Sequence, residues 1–500
     1  MGAILHLMDT ANTAYYAALL SRDRKFDGRF FVGVSSTKIY CRPICTVRTP
    51  KLENCSFYPS AVAAELNGYR PCLKCRPELA PGLSPIDASG RYVQVAVKLI
   101  ESGFLSDHSC EELAARLGIS DRHLRRTFAE QFGASPIEFA QSQRLLQAKR
   151  LLTDTDISLA EIALAAGFGS LRRFNELFRE HYRLTPSDLR SQRRSGKAIA
   201  PSSLTLRLAY RPSYDWDWML DFLRIRAVDG IEKIIDNTYI RTLCVTQSGI
   251  AHLGWIRITP MPNKSQISVE ISASLLRVVP EVLLRVRRLF DLDAMPEQIA
   301  AALGSLSAVR PGLRLPGSVS GFEFAVRAIL EQQISTKAAA TLASRFTERF
   351  GVSIETPFEG IRYIFPDAAS IATLSIEALR SIGMTAKRAV SIQSLSALTA
   401  EGKLDLDYVV DIDRGIETLT ELPGIGLWTA TYIAMRAWSW ADAFLHTDYV
   451  IRQRFPMLSP KQIQKLAERW RPWRSYAVFH LWHGVSEDQL KIEQMLEKEC

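Results

Sequence analysis

"IYCRPICTVRTP" (39–50) and "GYRPCLKCRPE" (68–78) set four cysteines, Cys41, Cys45, Cys72 and Cys75, in two basic segments broken by proline. The spacing is C-x3-C, 26 residues, then C-x2-C. Each close pair can supply two corners of a tetrahedron from one turn, so the pattern predicts a single Zn2+ held by four thiolates. Cys55 lies between the pairs without a near partner and is expected to be a buried free thiol. A four-thiolate zinc has a net negative charge and electron-rich sulfurs. Thr37, Arg42, Arg48, Arg70 and Arg76 flank it with groups able to hold a phosphate. A thiolate beside a pinned phosphate is placed to attack an alkyl group carried on that phosphate. A purely architectural zinc is the alternative.

Outward from this block, composition bounds the rest. The chain has 500 residues, more than one ordinary core can use, and is expected to be multidomain. Lys plus Arg number 62 against 53 Asp plus Glu, a formal +9 that favours an anionic partner such as nucleic acid. Eight cysteines are too few for a disulfide framework and point to a cytoplasmic chain. No run of about 18 apolar residues is present, so no membrane partner is expected. The start, "MGAILHLMDTANTAYY", lacks the basic-then-apolar order of a secretory signal.

Two breaker-rich joints, "LAPGLSPIDASG" (79–90) and "SGKAIAPSS" (195–203), separate three blocks. The middle block repeats itself: "EELAARLGISDRHLRRTF" from Glu111 is echoed by "EIALAAGFGSLRRFNELF" from Glu161. Each copy runs a short apolar helix into a glycine, Gly118 or Gly167, and restarts at a capping serine, Ser120 or Ser170. That predicts two helix-turn-helix units, with Arg122, Arg125, Arg126, Arg172, Arg173 and Arg179 on the second helices and Leu124, Phe128, Phe174 and Phe178 facing inward. The third block begins with strand-like stretches and turns almost wholly helical from about Asp291. Within it "LTELPGIGLWTATYIAMRAW" (419–438) sets Gly424 and Gly426 in a tight turn between helices, a geometry suited to a phosphate.

The stretch "FFVGVSSTKIYCRPICTVRTPKLENCSFYPSAVAAELNGYRPCLKCRPE" (30–78) resembles the zinc domain of the Ada family of methylation sensors. The resemblance implies that Cys41 is both ligand and methyl acceptor, Cys45, Cys72 and Cys75 the other ligands, and Thr37, Arg48 and Arg70 DNA contacts. Thr46 stands where some members carry arginine, which implies a weaker contact. "AGFGSLRRFNELFREHYRLTPSDLR" (166–190) is similar to the AraC-type regulator domain. A transcription activator working with RNA polymerase on double-stranded promoter DNA, nucleoid-associated and bacterial, is implied.

Residues 204–490 resemble the AlkA family, 3-methyladenine DNA glycosylases of the helix-hairpin-helix superfamily, through "YRPSYDWDWMLDFLRIRAVDGIE", "VRPGLRLPG", "RAILEQQIS", "LPGIGLWTA" and "ERWRPWRSYAVFHLW". The resemblance implies Asp448 as catalytic carboxylate, an aromatic base pocket of Trp428, Tyr432 and Trp482, and Gln333 as the wedge left in the gap of a flipped base. Trp428 occupies the place where strand-nicking relatives carry a Schiff-base lysine, which implies a monofunctional glycosylase. Cys500 is the only cysteine after the catalytic region, so no iron–sulfur cluster is expected. No P-C-H-R motif is present, so repair of O6-methylguanine is not expected.

The expected fold is multidomain α+β: a small zinc-bound α/β domain (1–82), an all-α double helix-turn-helix domain (88–196), an α+β subdomain (204–291) and an all-α helix-hairpin-helix glycosylase domain (292–500). The expected function is a methyl-phosphotriester-sensing activator fused to an alkylated-base glycosylase. Two rivals stand beside it: a regulator whose C-terminal block only binds DNA, and a glycosylase with a structural zinc finger.

Overall fold

A computed structural model of the chain describes residues 2–84, 90–191, 202–308 and 310–483, with backbone alone for residues 2–11 and 483. The centres of both joints, 85–89 and 192–201, and Cys500 lie outside the described residues. The chain divides into two compact units: Met1–Pro212 with Val245–His252 and Met261–Leu284, and Ser213–Cys244 with Leu253–Pro260 and Arg285–Cys500. Among the described residues no helix is long and apolar enough to cross a membrane.

In the first unit a four-stranded sheet of order β3-β1-β2-β4 joins β1 (Phe31–Val34), β2 (Ile39–Cys41), β3 (Cys55–Tyr58) and β4 (Arg70–Pro71). The consecutive β1 residues Phe31 and Val32 are both buried, on opposite faces of the sheet: Phe31 packs with Tyr40 of β2 and Val32 with Phe30. Strands β2 and β4 are parallel, Tyr40 facing Pro71. Both strands therefore deliver the next residue, Cys41 and Cys72, to the same end of the sheet.

The helical part of this unit contains α1 (Cys110–Arg116), α2 (Asp121–Phe132), α3 (Pro136–Asp154), α4 (Leu159–Ala165) and α5 (Leu171–Tyr182). Gly118 (φ +71°) and Gly167 (φ +79°) follow α1 and α4 in the left-handed region that glycine enters without a Cβ clash. Ser120 and Ser170 then accept from the backbone N–H of His123 and Arg173 and start α2 and α5. Leu124, Phe128, Phe174 and Phe178 are fully buried, so the arginines between them lie on the opposite, exposed faces.

Five more strands follow, β5 (Ser203–Ala209), β6 (Glu232–Ile235), β7 (Thr238–Gln247), β8 (Ile250–Met261) and β9 (Gln266–Ser272); β5 pairs antiparallel with β9, Leu206 opposite Val269, and β6 with β7, Ile234 opposite Tyr239. Beyond Asp291 the second unit is helical, with one departure from the all-α expectation: Val352 and Ser353 pair with Ile364 and Tyr363 as a two-residue ladder. The functional elements there are α6 (Gly321–Glu331), α7 (Ile412–Thr420), α8 (Leu427–Arg436), α9 (Tyr449–Arg454) and α10 (Arg474–His483).

Candidate metal centre and candidate active site

The Sγ atoms of Cys41, Cys45, Cys72 and Cys75 all lie within 4.8 Å of one another. Three causes converge on this. The parallel β2–β4 pairing aligns Cys41 with Cys72, and Cys72 N–H donates to Tyr40 O at 3.0 Å. A turn closed by Cys45 N–H to Arg42 O (3.1 Å) folds Cys45 back. Arg42 N–H also donates to Cys75 Sγ at 3.4 Å, a contact that suits a thiolate. Crowded together, the thiols drive one another apart in acidity. Hydrogen bonds with Cys45, Cys72 and Cys75 push Cys41 up, and the one with Cys41 brings Cys45 down to about 7. One divalent cation with tetrahedral taste and four thiolate donors removes that conflict, and the donor set is that of zinc. Cys55 is outside the tetrad, half-buried, and donates to Lys51 O at 3.3 Å.

Thr37, two residues before β2, is exposed, as are Thr46 and Arg48 just after Cys45, and Arg70 is half-buried at the start of β4. Arg42 and Arg76 require correction as phosphate-holding groups. Arg42 is 3 % exposed and its guanidinium is spent on Asp27, Nε to Oδ1 at 2.8 Å, and on Cys75 O at 3.1 Å. Arg76, at φ +55°, grips Asp154 at the end of α3 through 2.6 and 2.9 Å contacts and Glu78 at 2.9 Å. Both are internal struts, because a buried carboxylate reached each guanidinium first.

On the second helix-turn-helix helices, Arg122, Arg126, Arg172 and Arg173 are exposed and Arg125 is half-buried. Arg125 bonds Asp121 at 2.6 Å, Arg172 bonds Glu176 at 3.0 Å, and Arg173 lies 3.8 Å from the same glutamate. The two exposed pairs with Glu176 are weak.

In the second unit the hairpin between α7 and α8 carries Gly424 at φ +80°, where a Cβ would meet Ser391 Oγ at 2.4 Å. Gly426 is exposed, caps α8, and has open space where its Cβ would be. Asp448 caps α9 by accepting from Ile451 N–H at 3.1 Å. It also receives both indoles of the expected pocket, Trp428 Nε1 on Oδ2 at 3.2 Å and Trp482 Nε1 on Oδ1 at 2.9 Å. Tyr432 stands between them, its ring centre 5.1 Å from Trp428 and 6.0 Å from Trp482. Residues from α8, α9 and α10 thus form one aromatic wall around one carboxylate. Gln333 is exposed at φ +56°, a left-handed conformation uncommon for a residue with a Cβ. Gln332 holds that loop to the hairpin, Nε2 reaching Gly424 O and Thr429 Oγ1 at 3.1 Å each.

Four family models match in succession: the metal binding domain of Ada (14–78), a helix-turn-helix domain (113–192), the AlkA N-terminal domain (205–320) and the HhH-GPD superfamily of base excision DNA repair proteins (326–472). A probable bifunctional transcriptional activator/DNA repair enzyme AlkA of Mycobacterium tuberculosis is 36 % identical over 480 residues, covering 93 % of this chain and 95 % of that protein. The chain belongs to this bifunctional activator/repair family. Its two halves have relatives of their own. The DNA-3-methyladenine glycosylase 2 of Escherichia coli is 42 % identical over 276 residues, 55 % of this chain and 96 % of that one. The bifunctional transcriptional activator/DNA repair enzyme AdaA of Bacillus subtilis is 30 % identical over 177 residues, 35 % of this chain and 81 % of that one.

A helix-turn-helix domain and a base excision repair domain are both DNA modules, so DNA is a partner of this activator/repair family member. Its four-cysteine cluster is a site for one Zn2+. Three residues near the pocket escaped the sequence reading. Arg436 follows Tyr432 by four residues on α8 and donates to its hydroxyl at 2.9 Å. Phe324 of α6 packs edge-on to Tyr432 at 5.3 Å. Tyr449, next to Asp448, is 74 % exposed. Helical spacing and adjacency were the available signals for Arg436 and Tyr449; Phe324 had none.

Proposed function

We propose that this chain is a DNA alkylation sensor and activator fused to a monofunctional glycosylase for alkylated bases of the 3-methyladenine type. The observation that carries the enzymatic half is the convergence of Trp428 and Trp482 on Asp448. A base in a duplex is out of reach and is extruded first, Gln333 filling the gap and Gly424 and Gly426 holding the backbone. Electron-poor alkylated bases stack on Trp428, Tyr432 and Trp482, each contact worth roughly 1–3 kcal/mol. The C1′–N bond then breaks with its electron pair staying on the base. Positive charge builds on the sugar, and the Asp448 carboxylate stabilises it. Water adds to C1′ and gives up a proton, leaving an intact abasic site. The two indole N–H donors aim the carboxylate and keep it off other partners.

For the sensor, Cys41 is the methyl acceptor. Its sulfur attacks the methyl carbon of a methyl phosphotriester, an S–CH3 bond forms, the C–O bond breaks, and a phosphodiester anion leaves. Bound zinc holds the four sulfurs as thiolates at neutral pH. Thr37, Thr46, Arg48 and Arg70 hold the DNA backbone. Methylation removes one negative charge from the centre. At about 5 Å and an effective dielectric near 20 that is worth roughly 3 kcal/mol of relieved repulsion with DNA, as an upper guide. Arg122, Arg125, Arg126, Arg172 and Arg173 then serve promoter DNA, and RNA polymerase is the partner an activator needs. Four domains divided near 82–88, 196–204 and 291 suit this division of labour.

The deciding experiment measures base release from methylated DNA by the wild type and by Asp448→Asn. Undiminished release by the variant sinks the catalytic assignment. Peptide mass spectrometry after exposure to methyl-phosphotriester DNA tests the sensor. One added methyl on the Cys41 peptide is expected, and an unmodified peptide with zinc retained reduces the metal to a structural role.

A further inference from the structure

Arg436 is a buried cation whose hydrogen-bond partners are all neutral. It is 4 % exposed, and its guanidinium, charged at any working pH, donates to Pro316 O, to Gly317 O at 3.3 Å and to Tyr432 Oη at 2.9 Å. Its Cζ lies 4.7 Å from the ring centre of Phe324, 5.0 Å from Phe222, 5.7 Å from Tyr432 and 6.0 Å from Phe479. Arg436 and Tyr432 line one cleft together with Phe222 and Phe324. Carboxylates line it too: Glu323 is taken by Arg241 at 2.7 Å and Arg327 at 3.0 Å, Glu232 by Arg327 at 2.7 Å, and Glu331 acts on Arg436 through space, against the neighbouring cations Arg226 and Arg327. A guanidinium whose hydrogen bonds all go to neutral groups is costly to bury, and helix α8 carries that cost beside the Tyr432 ring.

Breaking the glycosidic bond lowers the charge of the base by one unit. A cationic N-alkylpurine leaves neutral, and a neutral base leaves as an anion that water then protonates. A fixed positive charge behind the Tyr432 ring therefore favours the departing base over the bound one, and only such a difference speeds the step. Because Arg436 donates to Tyr432 Oη, the phenolic proton is left free for an acceptor on the base. Resting on Tyr432 as part of the base pocket, as proposed above, we propose that Arg436 is a positioning residue for base departure. It orients the Tyr432 hydroxyl and sets a positive field behind the ring against which the extruded base loses its charge.

The test uses the full chain and single-turnover release of 7-methylguanine from methylated duplex DNA. It compares Arg436→Met, Arg436→Lys and Tyr432→Phe, each with a thermal melt and an affinity for duplex carrying a tetrahydrofuran abasic analogue. Arg436→Met is expected to slow release about tenfold or more, and Arg436→Lys about threefold at most, with affinity for the abasic analogue unchanged. Equal slowing by Met and Lys, or wild-type release by Met, overturns the proposal. Should Arg436→Met fail to fold, Tyr432→Phe decides, since it leaves the charge and removes the hydroxyl. Its release is expected to slow about threefold or more, and a wild-type rate overturns the proposal. A wild type that releases no alkylated base fails the functional reading itself, which the variant comparisons do not touch.

Discussion

Arg76 and Asp154 form a two-pronged ion pair across 78 residues of sequence, Nη1 to Oδ1 at 2.6 Å and Nη2 to Oδ2 at 2.9 Å. The residue directly after the ligand Cys75 is thereby fastened to the last residue of α3. Beside it Lys149 of α3 is ion-paired with Glu78 and reaches Cys72 O at 3.5 Å. The metal loop and the long helix joining the two helix-turn-helix units share one buried polar network. Removing Asp154 takes two charged hydrogen bonds from Arg76 and leaves it Glu78 alone at 2.9 Å. Asp154→Ala is expected to destabilise the first unit by about 1–3 kcal/mol, read as a drop in its denaturant midpoint. An unchanged midpoint counts against the network as a structural element.

Glu78 makes this network sensitive to acid. Burial pushes its carboxyl up, but Lys149 and Arg76 outweigh that and hold it below the usual range. A depressed folded value means stability fully present above the unfolded value, about 4.3, and lost as pH falls below it. Denaturant midpoints of the first unit between pH 7 and 3 are expected to fall at the acid end. In Glu78→Gln the whole curve is lower and that fall is shallower.

Zinc content is expected to be one per chain, and Cys72→Ser is expected to lose it. Chelation removes the cation around which β2 and β4 end, so amide exchange should rise across residues 39–75. Unchanged exchange after complete zinc removal argues that the strand pairing stands without the metal.

Gly424 and Gly426 separate strain from function. Gly424→Ala places a Cβ 2.4 Å from Ser391 Oγ at φ +80° and is expected to cost about 1–3 kcal/mol of stability. Gly426→Ala meets open space, so its melting temperature should hold while DNA affinity falls. Equal affinity with wild type excludes a close backbone approach there.

Trp482→Phe retains an aromatic ring and removes the 2.9 Å donor to Asp448. A hydrogen bond to a charged group contributes about 1.5–3 kcal/mol, so base release is expected to slow roughly 10- to 100-fold with modest change in DNA binding. A larger loss in binding than in release points to stacking as its main role.

Much of the chemistry was legible because it was written in short-range spacing. The paired cysteines, the repeated glycine-then-serine of the helix-turn-helix units and the L-P-G-I-G turn each constrain the backbone within a few residues. Arg42 and Arg76 show where such legibility stops. In the sequence they are basic residues next to a metal site; in the fold Asp27 and Asp154 neutralise them. Gln332 and Arg436 show the same limit. Their partners Gly424, Pro316 and Gly317 lie about a hundred residues away, and no local pattern announces them.

The sequence by itself determined the identity of the ligands, the aromatic and acidic types the chemistry needs, and the helices and turns that carry them. Those properties depend on side-chain chemistry and on contacts within a turn or two. Tertiary structure alone decided which charges stay at the surface and which are consumed inside. It also decided that two indoles 54 residues apart meet on one carboxylate, Trp428 and Trp482 on Asp448, and that the buried Arg436 guanidinium reaches the Tyr432 hydroxyl. Those outcomes depend on which distant groups reach each other first once the core excludes water.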